Sequence, residues 1–203
     1  DNGATASDDK TLVVQLPINY TFGAGALIIP MDGTYQTKGL LKAFGLLYAL
    51  LKANVPVRWV IKAGKGYGDI DFSTSGNDVL SNAKIATHGY AGGPFVIDST
   101  DAAAALVVIK AWQKTSPETT VHTSDKGFTA NIARVLTSAP TIALFADGKQ
   151  AIARKYMQAA GIPDSTGSTA WPDSSPDMLD PNEVAGSSTS DHRDGALFDA
   201  GGT

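Results

Sequence analysis

The sequence predicts an α/β protein: a three-layer, doubly wound domain with a mostly parallel five-stranded sheet. Residues 26–30 form a short apolar run, which is typical of a strand buried on both faces. Apolar residues then recur at helical spacing over residues 39–53, and residues 57–61 form a second apolar run. Together these three segments predict one β-α-β unit, the seed of a parallel sheet.

The chain before and around this unit is divided by its turn-forming residues. Residues 11–16 predict an extra N-terminal strand that ends at Pro17, and the following loop completes an arm over residues 1–25. Thr37 is the expected N-cap of the first helix, which Pro56 prevents from continuing. Gly45 lies in the middle of that helix, where glycine is unfavourable, so we expect a close packing contact there.

Beyond the unit, strands and helices continue to alternate, and this alternation favours a doubly wound domain over residues 26–163. A glycine-rich loop at residues 64–68, followed by an irregular segment or short strands at 69–82, is expected to precede the third strand. The remaining expected elements are strands at 93–97, 119–123 and 141–145, helices at 102–114 and 149–160, and a short helix at 131–136.

Residues 164–203 differ in composition from the rest of the chain. They are rich in Ser, Pro, Gly and Asp, with Arg193 as their single basic residue. Such a segment predicts an acidic tail that packs on the domain or extends from it. The side chains expected to attach it are Trp171, Met178, Leu179, Leu197 and Phe198.

Composition excludes several classes of function. The net charge of −4 and the absence of a basic cluster argue against nucleic-acid binding. No apolar stretch approaches the roughly 20 residues that span a bilayer. Without cysteine, the chain has no disulfide, thiolate metal site or cysteine nucleophile. A charged fraction of 18% and a start at Asp1 favour an exported protein (periplasmic, extracellular or cell-surface), although a trimmed chain would also start this way.

Polar residues follow several predicted strands, at the edge where doubly wound proteins bind ligands. The candidate ligand-binding residues are Asp32, Thr34, Tyr35, Gln36, Ser124 and Asp147. The alternative interpretation is that these residues cap helices and form turns.

Several motifs suggest more specific chemistry but lack a required feature. The glycines at 64, 66 and 68 lack the spacing of a dinucleotide-binding loop. His122, Ser124 and Asp125 have the residue types of a hydrolase triad, but a triad gathers residues from separate loops. The three histidines lack metal-site spacing, and His88 is expected on a surface or loop. Calcium is the one cofactor considered, held by Asp191, Asp194 and Asp199, although no complete loop pattern is present.

Over residues 26–160 the order of strands and helices resembles the flavodoxin-like fold of class I glutamine amidotransferases. In that family a nucleophilic cysteine lies on a tight turn after a central strand. The resemblance places this turn near residues 123–127, where the chain has no cysteine. It therefore implies a fold without the amidotransferase reaction, and no catalytic residue carries over.

These observations favour a non-catalytic module of an exported or cell-surface protein that acts in self-assembly or in binding another surface protein. The strand-like segment 11–16 motivates this hypothesis, because an unpaired strand can add to a neighbouring sheet. One alternative is a hydrolase or transferase that uses Asp32, His122 and Ser124. The other is a small-molecule-binding domain whose ligand lies over residues 32–36 and the loop at Gly64.

Overall fold

The computed structural model describes residues 18–180, which contain three helices and ten strands. The helices are α1 (Leu40–Lys52), α2 (Ala102–Gln113) and α3 (Gln150–Ala160). The strands are β1 (Ile18–Phe22), β2 (Leu27–Ile29), β3 (Val57–Val60), β4 (Ile70–Asp78), β5 (Lys84–Ala91), β6 (Phe95–Ile97), β7 (His122–Ser124), β8 (Phe128–Leu136), β9 (Leu144–Phe145) and β10 (Met178–Leu179).

Eight strands form one sheet in the order β1-β8-β3-β6-β2-β7-β4-β5, and every neighbouring pair is antiparallel. The prediction of a mostly parallel, doubly wound sheet is therefore wrong. The resemblance to the flavodoxin-like fold of glutamine amidotransferases is wrong for the same reason, because that fold requires neighbouring parallel strands.

The local β-α-β unit exists, but its two strands are not neighbours. Helix α1 joins β2 to β3, and both strands pair antiparallel with β6, which lies between them. In register, Val96 of β6 faces Ile28 on one side and Arg58 on the other. Strands β2 and β3 consequently run in the same direction, while the inserted β6 makes each pairing antiparallel. The spacing of apolar residues predicts that a helix connects two strands that run in the same direction. It does not predict whether another strand pairs between those two.

The prediction was also incomplete in several strand segments. The segment at 69–82, expected to be irregular or to hold short strands, contains the long strand β4, which forms a hairpin with β5, a strand that was not predicted. The predicted short helix at 131–136 lies inside β8, whose Phe128, Ala130 and Ile132 are buried at alternate positions. The expected loop at 19–25 begins with β1, which pairs with β8. In each case polar or small residues dilute the apolar pattern, so the period of two is weak in the sequence.

The sheet carries apolar clusters on both faces. Alternate residues of β2 separate them: Leu27 and Ile29 pack with α1 and α2, whereas Ile28 belongs to the opposite cluster. On that opposite face, Phe72 of β4 stacks on Phe128 of β8 with ring centroids 4.6 Å apart. Because β4 and β8 are not neighbours in the sheet, this contact requires the sheet to curl into a half-barrel.

Residues 164–180 pack against α3 and β9. Trp171 is fully buried with Leu144 and Met178, and its indole N–H donates to the carbonyl oxygen of Ile162 at 2.8 Å. Strand β10 pairs with β9 in a separate two-stranded sheet. The expected anchors Leu197 and Phe198, and the predicted strand at 11–16, lie outside the described residues. Within residues 18–180, none of the helices has the length and apolar character needed to span a membrane.

Candidate functional site

The loop between β2 and α1 is held in place by Gln36, which is 1% exposed. Its side-chain amide donates to the carbonyl oxygens of Pro30 and Thr120, each at 3.1 Å. Its Oε1 accepts the backbone N–H of Thr120 at 3.0 Å. One side chain thus fastens this loop to the segment that leads into β7.

Asp32 begins this loop, and both of its carboxylate oxygens are engaged. Oδ1 accepts the backbone N–H of Thr34 at 3.0 Å, and Oδ2 lies 3.1 Å from Nε2 of His88 on β5. The two side chains are mostly buried, with 11% of Asp32 and 18% of His88 exposed. The pairing fixes the carboxylate at the end of the sheet where the β2–α1 loop meets β5.

Tyr35 lies between the two described histidines. Its ring makes edge contacts with His88 and His122, at centroid distances of 4.8 and 4.6 Å. The hydroxyl of Tyr90 lies 2.8 Å from Nδ1 of His122. Burial raises the pKa of Tyr90 and lowers the pKa of His122 to about 4, so both side chains are neutral at pH 7.

The glycine-rich loop at 64–68 is fixed by Asp71 of β4, whose side chain is fully buried. Its Oδ1 accepts the backbone N–H of Lys62 at 2.9 Å and lies 2.6 Å from Nζ of Lys65. Its Oδ2 accepts the backbone N–H of Gly93 at 2.9 Å. Asp71 therefore connects this loop to the turn between β5 and β6.

The two loops line one cavity of about 530 Å³, here named the loop cavity. Its walls are formed by two aromatic rings, two charged side chains and small or apolar residues: Asp32, Gly33, Trp59, Ile61, Lys65, Gly66, Tyr67, Gly68, Ala91, Gly92 and Gly93.

Trp59 is a fixed aromatic wall of this cavity. Its indole N–H donates to the carbonyl oxygen of Gly93 at 3.0 Å, and its ring stacks on Phe95 with centroids 6.1 Å apart. A Cβ at Gly93 would lie 2.8 Å from the indole nitrogen, and the φ of Gly93 is 74°. Glycine is therefore required there, both for the close approach and for the backbone conformation.

The candidate ligand residues of the sequence prediction lie in three separate places. Asp32, Thr34, Tyr35 and Gln36 share one loop; Asp32 lines the loop cavity, Thr34 is exposed beside it, Tyr35 joins the two histidines, and Gln36 is structural. Ser124 lies apart on β7, where its buried hydroxyl is 3.5 Å from the carbonyl oxygen of Gly23.

Asp147 is in the turn before α3, outside the main sheet, and accepts the backbone N–H of Lys149. This contact matches the turn-forming alternative. Asp191, Asp194 and Asp199, the candidate calcium ligands, lie outside the described residues. Within residues 18–180, no group of three His, Asp or Glu side chains is arranged to hold a metal ion.

His122, Ser124 and Asp125 do not form a catalytic triad. The sequence argument had counted against one, because the three residues lie too close together in the chain. His122 bonds to Tyr90, whereas the carboxylate of Asp125 bonds to Ser75 and Lys84. The expectation that His88 is a surface or loop residue is wrong, because His88 lies on β5 and bonds to Asp32. Strand pairing causes the difference, since it brings His88 beside a loop more than fifty residues earlier in the chain.

The sequence argument missed four residues that shape this region: Trp59, Asp71, His88 and Tyr90. Trp59 and Asp71 carry no local motif, and only the folded chain places them beside the loops. His88 and Tyr90 are two residues apart, a spacing that puts both on one face of a strand. If residues 84–91 had been recognised as a strand, both side chains would have been predicted to lie on the same face of it.

Comparison of the chain with protein-family models, with curated proteins and with solved structures gave no match. The argument for function therefore depends on the geometry of the site.

Proposed function

We propose that this protein is a small-molecule-binding domain and that its ligand, a sugar, occupies the loop cavity. The observation that carries the proposal is that the loop beginning at Asp32 and the loop 64–68, about 30 residues apart in sequence, line one cavity with Trp59 and Tyr67. A volume of about 530 Å³ falls in the range of small-ligand sites, roughly 300–1,000 Å³.

The side chains of the cavity suit a sugar. The C–H face of a pyranose stacks on an aromatic ring, and Trp59 offers a ring that is 38% exposed and already immobilised. A fixed platform loses little conformational entropy on binding. The carboxylate of Asp32 accepts hydrogen bonds from sugar hydroxyls, and the ammonium group of Lys65 donates to them.

The cavity lining favours binding over catalysis. Among the described residues that line it there is no serine, threonine or histidine to act as a nucleophile or general base. Its two charged side chains are each held in place by an ion pair, Asp32 with His88 and Lys65 with Asp71, and their remaining hydrogen-bonding capacity is available to sugar hydroxyls. The hydrolase alternative gains no support, because Ser124 is bonded elsewhere and does not line the cavity.

A thermal-shift screen with monosaccharides and short oligosaccharides, and with nucleotides and flavins for comparison, tests the proposal. A ligand at about 100 times its Kd should stabilise the protein by about 2.7 kcal/mol, a rise of several degrees in Tm. Trp59→Ala should abolish the shift. Tyr156→Ala, which removes an exposed aromatic ring from α3, should retain it. The proposal fails if no sugar stabilises the protein or if both variants lose the shift equally.

Self-assembly is a second candidate function. It is supported by the position of β1, an edge strand of the main sheet that directly follows the strand-like segment 11–16. An edge strand offers backbone groups to a neighbouring chain. We also propose that the protein is exported, and only its amino-acid composition supports this part of the proposal. Light scattering on the unmodified chain and on the Val13→Lys variant tests this candidate. Self-assembly predicts that the unmodified chain is an oligomer and that the substitution dissociates it. If the unmodified chain and the variant are both monomeric, the candidate is rejected.

A further inference from the structure

A second cavity, of about 330 Å³, lies between the end of α2, the β4–β5 turn and β7. We name it the His122 cavity after the residue at its inner wall. His122 is fully buried and Gln113 is 3% exposed, and both line this space. Nε2 of His122 and Oε1 of Gln113 have no hydrogen-bond partner within residues 18–180. A buried polar atom that is left unpaired destabilises the folded state, so each of these atoms is a candidate contact for a ligand.

The hydrogen bond of Tyr90 determines which role Nε2 of His122 plays. Tyr90 is fully buried, its hydroxyl keeps its proton, and Nδ1 of His122, 2.8 Å away, is the one hydrogen-bond partner of that hydroxyl within residues 18–180. We assign the hydroxyl as the donor, because the reverse tautomer would leave a buried O–H without an acceptor. A neutral imidazole that accepts at Nδ1 carries its own hydrogen on Nε2. The unpaired atom of His122 is therefore a donor.

Gln113 supplies a hydrogen-bond acceptor beside this donor. Its Nε2 donates to the carbonyl oxygen of Thr119 at 2.8 Å, and a flipped amide would instead bring two oxygens together. The orientation is thus fixed, and Oε1 is an unpaired acceptor. Because Thr119 also accepts the indole N–H of Trp112 on its hydroxyl at 3.0 Å, the segment that holds Gln113 is itself anchored.

We propose that the His122 cavity binds a small neutral molecule that carries a carbonyl-type acceptor and an N–H or O–H donor, of the aromatic carboxamide class. The carbonyl oxygen accepts from His122, and the donor group faces Gln113. The remaining walls, which include Leu80, Ile85 and Pro117, suit an aromatic ring. Asp78 also lines the cavity, and its carboxylate disfavours an anion. This site is separate from the loop cavity and does not depend on the sugar proposal.

Three probes of similar shape separate the contributions: benzamide has both groups, acetophenone has only the acceptor, and benzoate is an anion. NMR titrations of the labelled protein should show saturable binding of benzamide, with shifts at the Nε2 and Nε2–H signals of His122. Losing one neutral hydrogen bond should weaken acetophenone about tenfold relative to benzamide. Benzoate should bind more weakly still.

Two variants locate the binding. Gln113→Met keeps the side-chain length but removes Oε1, and should reduce benzamide affinity to that of acetophenone. Ala83→Trp, at an exposed residue that lines the cavity, should block all three probes without changing the hydrogen bonds. Tyr67→Ala in the loop cavity is the control and should leave benzamide binding unchanged. The proposal is overturned if benzamide does not bind, if the three probes bind equally, or if only water is found at Nε2 of His122.

Discussion

Gln36 shows how one residue serves a role that its sequence position does not reveal. It follows a strand among polar neighbours, which makes it a reasonable ligand contact by sequence. In the folded chain its amide makes three hydrogen bonds to backbone groups, two of them to Thr120, and is almost completely buried. Thr120, which takes part in two of these bonds, lies more than eighty residues away, so no local pattern predicts them.

The buried imidazole of His122 predicts a specific pH dependence of stability. Because its pKa is about 4 in the folded state and about 6.5 when unfolded, the unfolded state binds the proton first. Stability is therefore full above pH 6.5 and falls as the pH decreases toward 4, by about 3 kcal/mol in total. Urea unfolding at intervals between pH 7 and 4 measures this loss.

His122→Asn is the matched variant, since the asparagine oxygen can replace Nδ1 as the acceptor for Tyr90 but does not titrate. Its free energy of unfolding should depend less on pH over the same interval, by about 3 kcal/mol. Equal pH dependence in the two proteins would show that His122 is not the group responsible.

At the scale of elements, α1 fits its prediction closely, and its Gly45 has the close contact that was expected. A Cβ at Gly45 would collide with the carbonyl oxygen of Ala160 at the end of α3 and lie 2.5 Å from Cη2 of Trp112 in α2. The predicted N-cap Thr37 is wrong: the helix begins after Gly39, and Thr37 bonds instead to the carbonyl oxygen of Gly33. The three helices pack around a single small residue.

Gly45→Ala tests this packing. Helix propensity alone would stabilise the variant by about 1 kcal/mol, but the collision with backbone should prevail and destabilise it by about 1–3 kcal/mol. Gly33→Ala is the control, because a Cβ there meets nothing within 4 Å, and its stability should change little. Chemical denaturation of both variants measures the difference, and a more stable Gly45→Ala would refute the close contact.

At the scale of the whole molecule, the curl of the sheet depends on aromatic side chains that meet across its face. Phe72 and Phe128 stack with an interplanar angle of 11°, and each also stacks on a second ring, Tyr90 and Phe22 respectively. Four strands lie between β8 and β4 in the order β8-β3-β6-β2-β7-β4, so these two strands meet across one face only because the sheet curls.

A double-mutant cycle on Phe72→Leu and Phe128→Leu measures this contact. Each single variant keeps apolar volume, so both should fold. The coupling energy in urea unfolding should be about 0.5–1.5 kcal/mol, the range for stacked aromatic pairs. Phe72→Leu with Phe95→Leu is the control pair, since Phe95 belongs to the helix-covered cluster, and its coupling should be near zero. Additive effects in the first cycle would contradict a curled sheet.

The strongly periodic elements can be located from the amino-acid pattern: α1, α2, α3 and the apolar strands β2, β3 and β6. These patterns are local: the spacing of apolar residues within one helix or strand shows which of its faces are buried. The antiparallel sheet follows from long-range pairing, since β6 lies between β2 and β3 through contacts that no local spacing encodes. Long-range pairing likewise decided the site: the sequence identified the loops at Asp32 and Gly64, but His88, Asp71 and Trp59 reach them only through strand pairing across long sequence separations.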